Sequence, residues 1–266
     1  MRLTAALSIL PELYCAIQVA LFPTFRDVWL NPILIFDVFR VFMTHVWVKF
    51  ADPTNEGGRV VKEGLITPHA TGIVLDLGAG HGHTVDFLDR QQVTTYIALE
   101  PNGDMHTLLR QRAAAAGYLE SDGSLIVLSC SAENIQMILE RIGRGTHPVD
   151  TIVSVLTMCT IPSPQRTMRR LVRDVLKSGG EFLYYEHVLS PRSDVAWWQK
   201  FWAPLWSLFF DGCRMDRPSH LLVEEMRDID IDGKETSMWR EGRSWGKLGE
   251  SEENLWWHQA GRFVKR

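Results

Sequence analysis

Hydrophobic residues along most of the chain form short runs that alternate with segments of helical period. The runs at 73–77, 95–99, 125–128 and 151–155 have the length and β-branched content of buried strands. Between them, apolar residues recur at three- and four-residue spacing, as at 135–142, where a glycine follows. Strands that alternate with helices predict an α/β domain whose parallel sheet carries helices on both faces.

The first fifty residues differ in character from this pattern. Residues 3–22 are mostly apolar, but Pro11 and Glu12 interrupt them, and they lack the basic leader and small-residue cleavage pattern of a secretory signal. Residues 27–50 mix aromatic side chains with a few charges, as helices that lie in a membrane interface do. The pattern fits either a lid packed over an apolar pocket or a membrane-surface anchor.

We therefore predict two parts. An apolar N-terminal segment covers 1–59, and the α/β domain covers 60–266, with a polar, glycine-bearing connector beginning at residue 51.

Composition narrows the class of protein and of partner. A chain of 266 residues with 45% hydrophobic content is globular, which excludes a disordered chain. The net charge of −4 and the lack of a basic block argue against nucleic acid as a partner and favour a small molecule. Four scattered cysteines suggest neither a zinc site nor a disulfide framework, so a reducing, cytoplasmic compartment is expected.

The loop after the first strand carries the clearest chemical signal. Gly78, Gly80 and Gly82 follow the strand, and glycine lets a backbone approach a ligand closely because it has no Cβ and tolerates positive φ. The segment TVDFLDRQQ is expected to form a helix whose N–H groups point at that ligand. With Asp76 before it, the loop reads D-x-G-x-G-x-G, whereas a dinucleotide fingerprint has G-x-G-x-x-G.

The second strand ends in Glu100, about 20 positions past the loop. In a βαβ unit an acidic residue at this place accepts hydrogen bonds from ribose hydroxyls. The same carboxylate would also serve NAD, so it indicates an adenosine ribose without yet choosing the cofactor.

Three motifs together resemble a known family. The glycine loop resembles motif I of the class I S-adenosylmethionine-dependent methyltransferases, and LKSGGEFLYYEHV resembles their fifth-strand region, with Ser178 where proline is usual. The EHV strand end, followed by an aromatic helix and FDGC, resembles the membrane-associated methyltransferase-like group of animals that methylates alkyl thiols. The resemblance runs from about 73 to 264.

The resemblance implies a Rossmann-like, mostly parallel seven-stranded sheet, with two last strands after residue 229 separated by the polar insertion REGRSWGKLGESEEN. It implies S-adenosyl-L-methionine as cofactor and a small acceptor, with thiol or hydroxyl ahead of amine. It also implies peripheral contact of the N-terminus with the cytoplasmic face of an intracellular membrane. The sequence indicates no oligomeric state.

Strand ends and family motifs give the candidate cofactor contacts. By the switch-point rule Leu156, after the fourth strand, borders the ligand. By resemblance the corner after the third strand lies beside the adenine, although Ser131 could instead cap the next helix. The predicted contacts are Asp76, Gly78, Ala79, Gly80, Gly82, Glu100, Pro101, Asn102, Ser131, Ala132, Glu133 and Leu156.

Methyl transfer needs a positioned nucleophile that loses its proton, and no metal. His187 and Asp211 lie after predicted strand ends and are the candidate bases, although a histidine beside a glutamate could instead be structural. Cys159 and Cys213 are expected to be small buried residues.

The helix after the fifth strand is aromatic on more than one face, so we expect it to roof the acceptor pocket. The predicted roof residues are Trp197, Trp198, Phe201, Trp202 and Trp206.

Two other functions fit the same first βαβ unit. One is an NAD-dependent oxidoreductase, which would want different glycine spacing and a Tyr-x-x-x-Lys relay that the sequence lacks. The other is a non-catalytic binding protein that keeps the fold.

Overall fold

The computed structural model of the chain describes residues 1–143, 147–229 and 232–266. A helical part precedes the sheet, as the sequence predicted. Its elements are α1 (Leu3–Ala6), α2 (Ile9–Leu30), a 3₁₀ turn (Pro32–Asp37), α3 (Val38–Gly57) and α4 (Arg59–Leu65).

Strands and helices then alternate. In chain order they are β1 (Gly72–Leu77), β2 (Val93–Leu99), α5 (His106–Ala115), β3 (Leu125–Leu128), α6 (Ile135–Ile142), β4 (Val149–Val155), α7 (Pro164–Arg170) continued by a π turn (Leu171–Val175), β5 (Leu176–His187), α8 (Ser193–Phe209) and α9 (Ser219–Glu224). Four strands complete the chain: β6 (Arg227–Ile229), β7 (Glu235–Ser237), β8 (Trp239–Gly246) and β9 (His258–Lys265).

Seven strands form one sheet in the order β3-β2-β1-β4-β5-β9-β8. Strands β1 to β5 pair in parallel, and β9 is antiparallel to both of its neighbours. Both faces are covered: helices α4 and α5 pack on one, and α6, α7 and α9 on the other. Consecutive residues of β1, Val74 and Leu75, are accordingly fully buried on opposite faces. The predicted Rossmann-like, mostly parallel seven-stranded sheet is confirmed.

A third apolar cluster joins the N-terminal helices to α8. Ile9, Leu13 and Ala16 of α2 and Val46 of α3 pack against a group that includes Trp206 of α8. The N-terminal segment therefore packs on the domain. Its separation at residue 59 as a domain of its own stays a prediction.

Two local predictions before β2 are wrong. Residues 51–57 continue α3 and are not a connector: Asp52 and Glu56 lie on its exposed side, and the buried Asn55 accepts a hydrogen bond from Lys62. The segment TVDFLDRQQ forms a 3₁₀ turn, His83–Phe87, and no α-helix. The turn ends where Leu88 becomes extended, and Asp89 then forms a second turn, in which its carboxylate accepts hydrogen bonds from the backbone N–H of Gln91 and from the side chain of Gln92.

The predicted polar insertion REGRSWGKLGESEEN is also only partly an insertion. Its first seven residues, 240–246, form most of β8, and only 247–257 connect β8 to β9. Strand β8 lies at the edge of the sheet, where most of its side chains are exposed. An edge strand carries polar residues on both sides, so its sequence does not show the alternation of a half-buried strand.

Candidate active site

A cavity of about 820 Å³ opens at the carboxyl ends of the parallel strands, the place expected for a ligand in an open α/β sheet. The N-terminal helices and α8 cover it. Eleven of the twelve predicted cofactor contacts line this cavity: Asp76, Gly78, Ala79, Gly80, Glu100, Pro101, Asn102, Ser131, Ala132, Glu133 and Leu156. Both candidate bases, His187 and Asp211, line it as well.

The glycine loop has the geometry that only glycine adopts easily. The φ angles of Gly78 and Gly80 are +61° and +54°. A Cβ on Gly78 would lie 2.6 Å from the side chain of Thr157, and a Cβ on Gly80 would lie 2.9 Å from Nε1 of Trp47. Gly82 does not line the cavity. It packs against the backbone of Leu109, so its place in the structure is that of a packing residue and not of a cavity contact.

Glu100 is held at the loop by two backbone groups. The N–H of Gly80 donates to one carboxylate oxygen at 2.8 Å, and the N–H of Asn102 donates to the other at 2.7 Å. Burial raises the pKa of Glu100, and these two hydrogen bonds act against that rise. The carboxylate is thus oriented, with free lone pairs toward the cavity for a pair of hydroxyl groups.

An acidic and a basic side chain, Asp76 and Lys62, both line the cavity near the end of β1. Asp76 is buried and accepts a hydrogen bond from the hydroxyl of Tyr96 at 2.7 Å, and burial raises its pKa to about 7. Lys62 of α4 is also buried, and burial lowers its pKa to about 8. An acid and a lysine in one cavity can bind a ligand group that carries both a positive and a negative charge. The sequence pattern does not indicate Lys62 as a site residue, because a lysine in a short helix normally faces solvent.

The corner after β3 leaves Ser131 free for the cavity. Helix α6 begins only at Ile135, and the carbonyl of Ser131 accepts the N–H of Asn134, so the alternative prediction of Ser131 as an N-cap is wrong. After β4, Leu156 has a φ of +53°, a strained value for leucine that places the following residues at the cavity wall.

Glu186 fixes the loop that follows β4. It is fully buried, and one carboxylate oxygen accepts hydrogen bonds from the hydroxyl of Ser154 at 2.8 Å and from the N–H groups of Thr157 and Met158 at 2.9 and 3.1 Å. Among the residues that the structure describes, no hydrogen bond joins the neighbouring His187 to Glu186, and the other carboxylate oxygen of Glu186 has no hydrogen-bond partner. Nε2 of His187 lies 3.3 Å from Sγ of Cys213.

Asp211 lies at the mouth of the cavity. Its backbone φ is +45°, and one carboxylate oxygen lies 3.8 Å from Nε of Arg40. Burial raises its pKa, while the charge of Arg40 lowers it. Both residues line the cavity, and the side chain of Asp211 is also 41% exposed to solvent.

Two cysteines share one buried contact beside the cavity. Sγ of Cys213 lies 3.3 Å from Sγ of Cys159, and Nε1 of Trp206 donates to Cys213 at 3.4 Å. Hydrogen bonds from these neighbours lower the pKa of Cys213, and the same contact raises that of Cys159. The sequence predicted both as buried residues, which is confirmed, but nothing in their spacing predicted that they would meet.

Only one of the predicted roof residues of α8 reaches the cavity. Trp206 lines it, together with Phe210 beyond the helix and Trp256 from the connection before β9. Trp197, Trp198, Phe201 and Trp202 do not, so that part of the prediction is wrong. The side of α8 that carries Trp197 and Phe201 is more than half exposed, and Trp202 donates from Nε1 to the carbonyl of Ala6.

The N-terminal helix α3 supplies the opposite apolar wall, through Met43, Trp47 and Phe50. Helix α3 therefore lies against the cavity, and the lid and the membrane anchor both stay predictions.

A comparison with known proteins finds a matching family and several similar proteins. A family model described as a methyltransferase domain matches residues 42–227. Among curated proteins, thiol S-methyltransferase TMT1A of Homo sapiens is 28% identical over 155 residues, covering 57% of each chain. Thiol S-methyltransferase TMT1B of Rattus norvegicus is 27% identical over 158 residues, covering 59% of this chain and 57% of the relative. The chain thus matches about 57% of the length of these relatives.

Solved structures share the fold at low identity. The YcgJ protein of Bacillus subtilis aligns with a TM-score of 0.52 and 17% identity, covering 78% of this chain and 99% of its own. An O-methyltransferase family protein of Burkholderia thailandensis aligns with a TM-score of 0.50 and 12% identity, covering 86% of this chain and 59% of its own. These likenesses support the sheet topology described above.

Proposed function

We propose a reaction for this chain from one premise: it belongs to the family of methyltransferase domains and is a methyltransferase. We infer that the methyl donor is S-adenosyl-L-methionine and that the acceptor is an apolar thiol. The single observation that carries the proposal is the loop of Gly78 and Gly80 held against the carboxylate of Glu100 at the rim of the cavity.

The cavity residues fit this cofactor. A Cβ on Gly80 would intrude on the space at the loop, and Glu100 offers lone pairs for two ribose hydroxyls. Ser131, Ala132 and Glu133 would lie beside the adenine. Lys62 and Asp76 would bind the amino-acid end of the cofactor. When bound, S-adenosyl-L-methionine supplies a methyl group on a sulfonium, which is a good leaving group.

The acceptor end of the cavity supports an apolar substrate. Trp206, Phe210 and Trp256 line this end together with Met43 and Phe50, and the rings of Phe50 and Phe210 pack edge to face at 6.0 Å, so an apolar acceptor would bury its surface there. A thiol is favoured over a phenol or an amine because the curated relatives are thiol S-methyltransferases.

The protein has two tasks in such a transfer: to hold the acceptor sulfur in line with the methyl carbon, and to remove its proton. The apolar walls do the first. For the second, Asp211 is the group that we propose receives the proton, since its carboxylate borders both the cavity and solvent. The Nε2 atom of His187 faces Cys213, so we propose that His187 acts through that contact.

The test of this function is calorimetry followed by an assay. The protein is titrated with S-adenosyl-L-methionine, S-adenosyl-L-homocysteine and NAD, and release of S-adenosyl-L-homocysteine is then measured with matched alkyl thiols, phenols and amines. Binding of the first two ligands and turnover of thiols are expected. Binding of NAD alone would support an oxidoreductase, and cofactor binding without turnover of any acceptor would support a binding protein.

Trp206→Leu is expected to raise the KM for an apolar thiol by about tenfold, equivalent to about 1.4 kcal/mol, because acceptor packing is lost. The kcat and the affinity for S-adenosyl-L-homocysteine should stay within about twofold, since lost packing is uniform binding. Steady-state kinetics measure the effect. Trp202→Leu is the matched control, one turn earlier on α8 and away from the cavity; an equal rise in KM for both variants would contradict the proposed acceptor wall.

The outer surface of the N-terminal helices supports membrane contact. Of the described residues, 3–30 form a helical stretch long and apolar enough to cross a membrane, and most of it is not buried. Phe22, Trp29 and Phe36 are 74%, 75% and 87% exposed. A large exposed apolar patch marks an interaction surface. With four unpaired thiols in the chain, we propose that this surface lies on the cytoplasmic face of an intracellular membrane.

The double substitution Phe25→Glu with Trp29→Glu is expected to move the protein from the liposome pellet to the supernatant, because two charges oppose burial of that surface in the headgroup region. Sedimentation with phospholipid vesicles measures it. The control is Val60→Glu with Leu221→Glu, which adds the same charges at exposed apolar positions on α4 and α9. Equal pelleting by both double variants and wild type would exclude this surface as the membrane contact.

A further inference from the structure

We propose that Cys159, His187 and Cys213 form a zinc site at the acceptor end of the cavity, with the acceptor thiol as the fourth ligand of the metal. The proposal deepens the function proposed above and rests on it. The motifs of the sequence did not predict this site, since Cys159 and Cys213 are far apart in the chain and neither is in a C-x-x-C pair.

The three ligand atoms already stand at nearly the spacing that zinc requires. Both sulfur atoms and one ring nitrogen of His187 lie within 4.8 Å of one another. The Sγ–Sγ distance is 3.3 Å, and Nε2 is 3.3 Å from Sγ of Cys213. Zinc binds sulfur at about 2.3 Å and nitrogen at about 2.0 Å, so a tetrahedral site needs sulfur atoms about 3.8 Å apart. The two sulfur atoms would therefore have to separate by about 0.5 Å, and Sγ of Cys159 and the ring nitrogen of His187, which lie within 4.8 Å, would have to reach about 3.5 Å for the ion to bind.

The surroundings also suit a metal. The three residues are 1%, 6% and 9% exposed for Cys159, His187 and Cys213, and two thiolates would neutralise the charge of a divalent ion in this apolar place. Nδ1 of His187 has no hydrogen-bond partner among the residues that the structure describes, so it can carry the ring proton and leave the Nε2 lone pair for the metal.

The position of the cluster indicates an open site. Two cysteines and one histidine make three protein ligands, and a three-ligand zinc site leaves its fourth position for water or substrate. His187 and Cys213 line the cavity, whereas Cys159 lies behind them in the apolar cluster under α2 and α8. The fourth position therefore faces the space assigned to the acceptor.

A thiol bound there is converted to its reactive form. The acceptor thiol gives up its proton as its sulfur binds the metal, because a coordinating thiol is deprotonated outright. Asp211 receives the proton and releases it to solvent. A sulfur lone pair then attacks the methyl carbon, the bond from that carbon to the donor sulfonium breaks, and the thioether leaves with S-adenosyl-L-homocysteine. No electron donor or acceptor is needed.

The experiment begins with metal content. Full-length protein purified without chelator is expected to hold zinc in a one-to-one ratio by mass spectrometry of the metal, and Cys213→Ser and Cys159→Ser are expected to lose it. Cys130→Ser removes a buried cysteine from a different cluster and should keep the metal. Affinity for S-adenosyl-L-homocysteine, measured on every variant, reports whether the fold survives.

The second measurement uses cobalt in place of zinc in the wild-type protein. The thiolate-to-cobalt absorption band is expected to grow when an alkyl thiol is added and not when a matched phenol is added. Removing the metal should lower kcat/KM for thiols by about a hundredfold or more, the size of a lost proton-transfer contribution.

The outcomes separate the two proposals. Failure of wild type to bind zinc or cobalt, oxidation of Cys159 and Cys213 to a disulfide in the active protein, or full thiol turnover by metal-free protein would each overturn the zinc site and leave the methyltransferase function standing. A cobalt band that responds to thiols in a protein that transfers no methyl group would support the site and overturn the proposed function.

Discussion

Gly80→Val is expected to weaken binding of S-adenosyl-L-methionine by at least about a hundredfold, or about 2.7 kcal/mol, while the sheet stays folded. The φ of Gly80 is +54°, where a β-branched residue is strained, and its Cβ would stand 2.9 Å from Trp47 in the loop that meets the ligand. The N–H that orients Glu100 would shift with it. Calorimetry with S-adenosyl-L-methionine and S-adenosyl-L-homocysteine measures the loss.

Gly123→Val provides the control for backbone strain. Gly123 has a φ of +75°, and a Cβ built on it meets nothing within 4 Å. It lies outside the residues that line the cavity. Both variants should therefore lose a similar amount of stability, about 1 to 3 kcal/mol, and only Gly80→Val should lose the ligand. If Gly80→Val bound the cofactor with an affinity within about threefold of wild type, the proposed contact of the Gly78–Gly80 loop with the cofactor would be refuted.

Glu186→Ala is expected to lower the free energy of unfolding by about 3 kcal/mol or more. The substitution leaves one hydroxyl and two backbone N–H groups without the acceptor that they share, in a place with no access to water. Urea unfolding followed by circular dichroism gives the difference. Thiol turnover should fall as well, because Thr157 of this loop lines the cavity.

Glu181→Ala on the same strand is the comparison for this effect. Glu181 pairs with Arg262 near the surface, at 2.8 Å between Nε and a carboxylate oxygen. Surface pairs of this kind contribute about 0 to 1 kcal/mol. Similar losses in the two glutamate variants would mean that the buried contacts of Glu186 do not fix the loop.

The cofactor half of the site could be predicted from the sequence because its determinants are local. A strand that ends in closely spaced glycines and a second strand that ends in an acid define where backbone and carboxylate must stand. The structure brings Gly80 and Glu100 into direct hydrogen bonding across twenty residues. Only Gly82 lies apart from the cavity, because the chain turns there to pack on α5 and not to meet a ligand.

The acceptor half could not be predicted in the same way. Helical periodicity shows that α8 has apolar faces, but which face meets the cavity depends on where α2 and α3 pack, and that is decided by tertiary contacts. Trp206 therefore faces the cavity while Trp197, two to three turns earlier, is 58% exposed. The contact of Cys159 with Cys213 joins two loops 54 residues apart and has no local signature at all.

Buried polar residues were the other source of error. Asn55 looked like part of a solvated connector, since polar side chains near glycines usually mark a linker, and Lys62 in the segment after it was not singled out. The structure buries these two side chains against each other. The polar segment therefore belongs to two helices that line the cavity, α3 and α4.

The order of strands in the sheet has a consequence for synthesis on the ribosome. Strand β9 pairs with β5, yet Glu181 and Arg262, which join them, are 81 residues apart in the chain. The apolar edge of β5 therefore has no partner strand while the intervening residues are being translated. An open edge of this kind invites pairing with other chains, and long-range closure is slow. We expect nascent chains that stall before β9 to be the form of this protein that aggregates and engages chaperones.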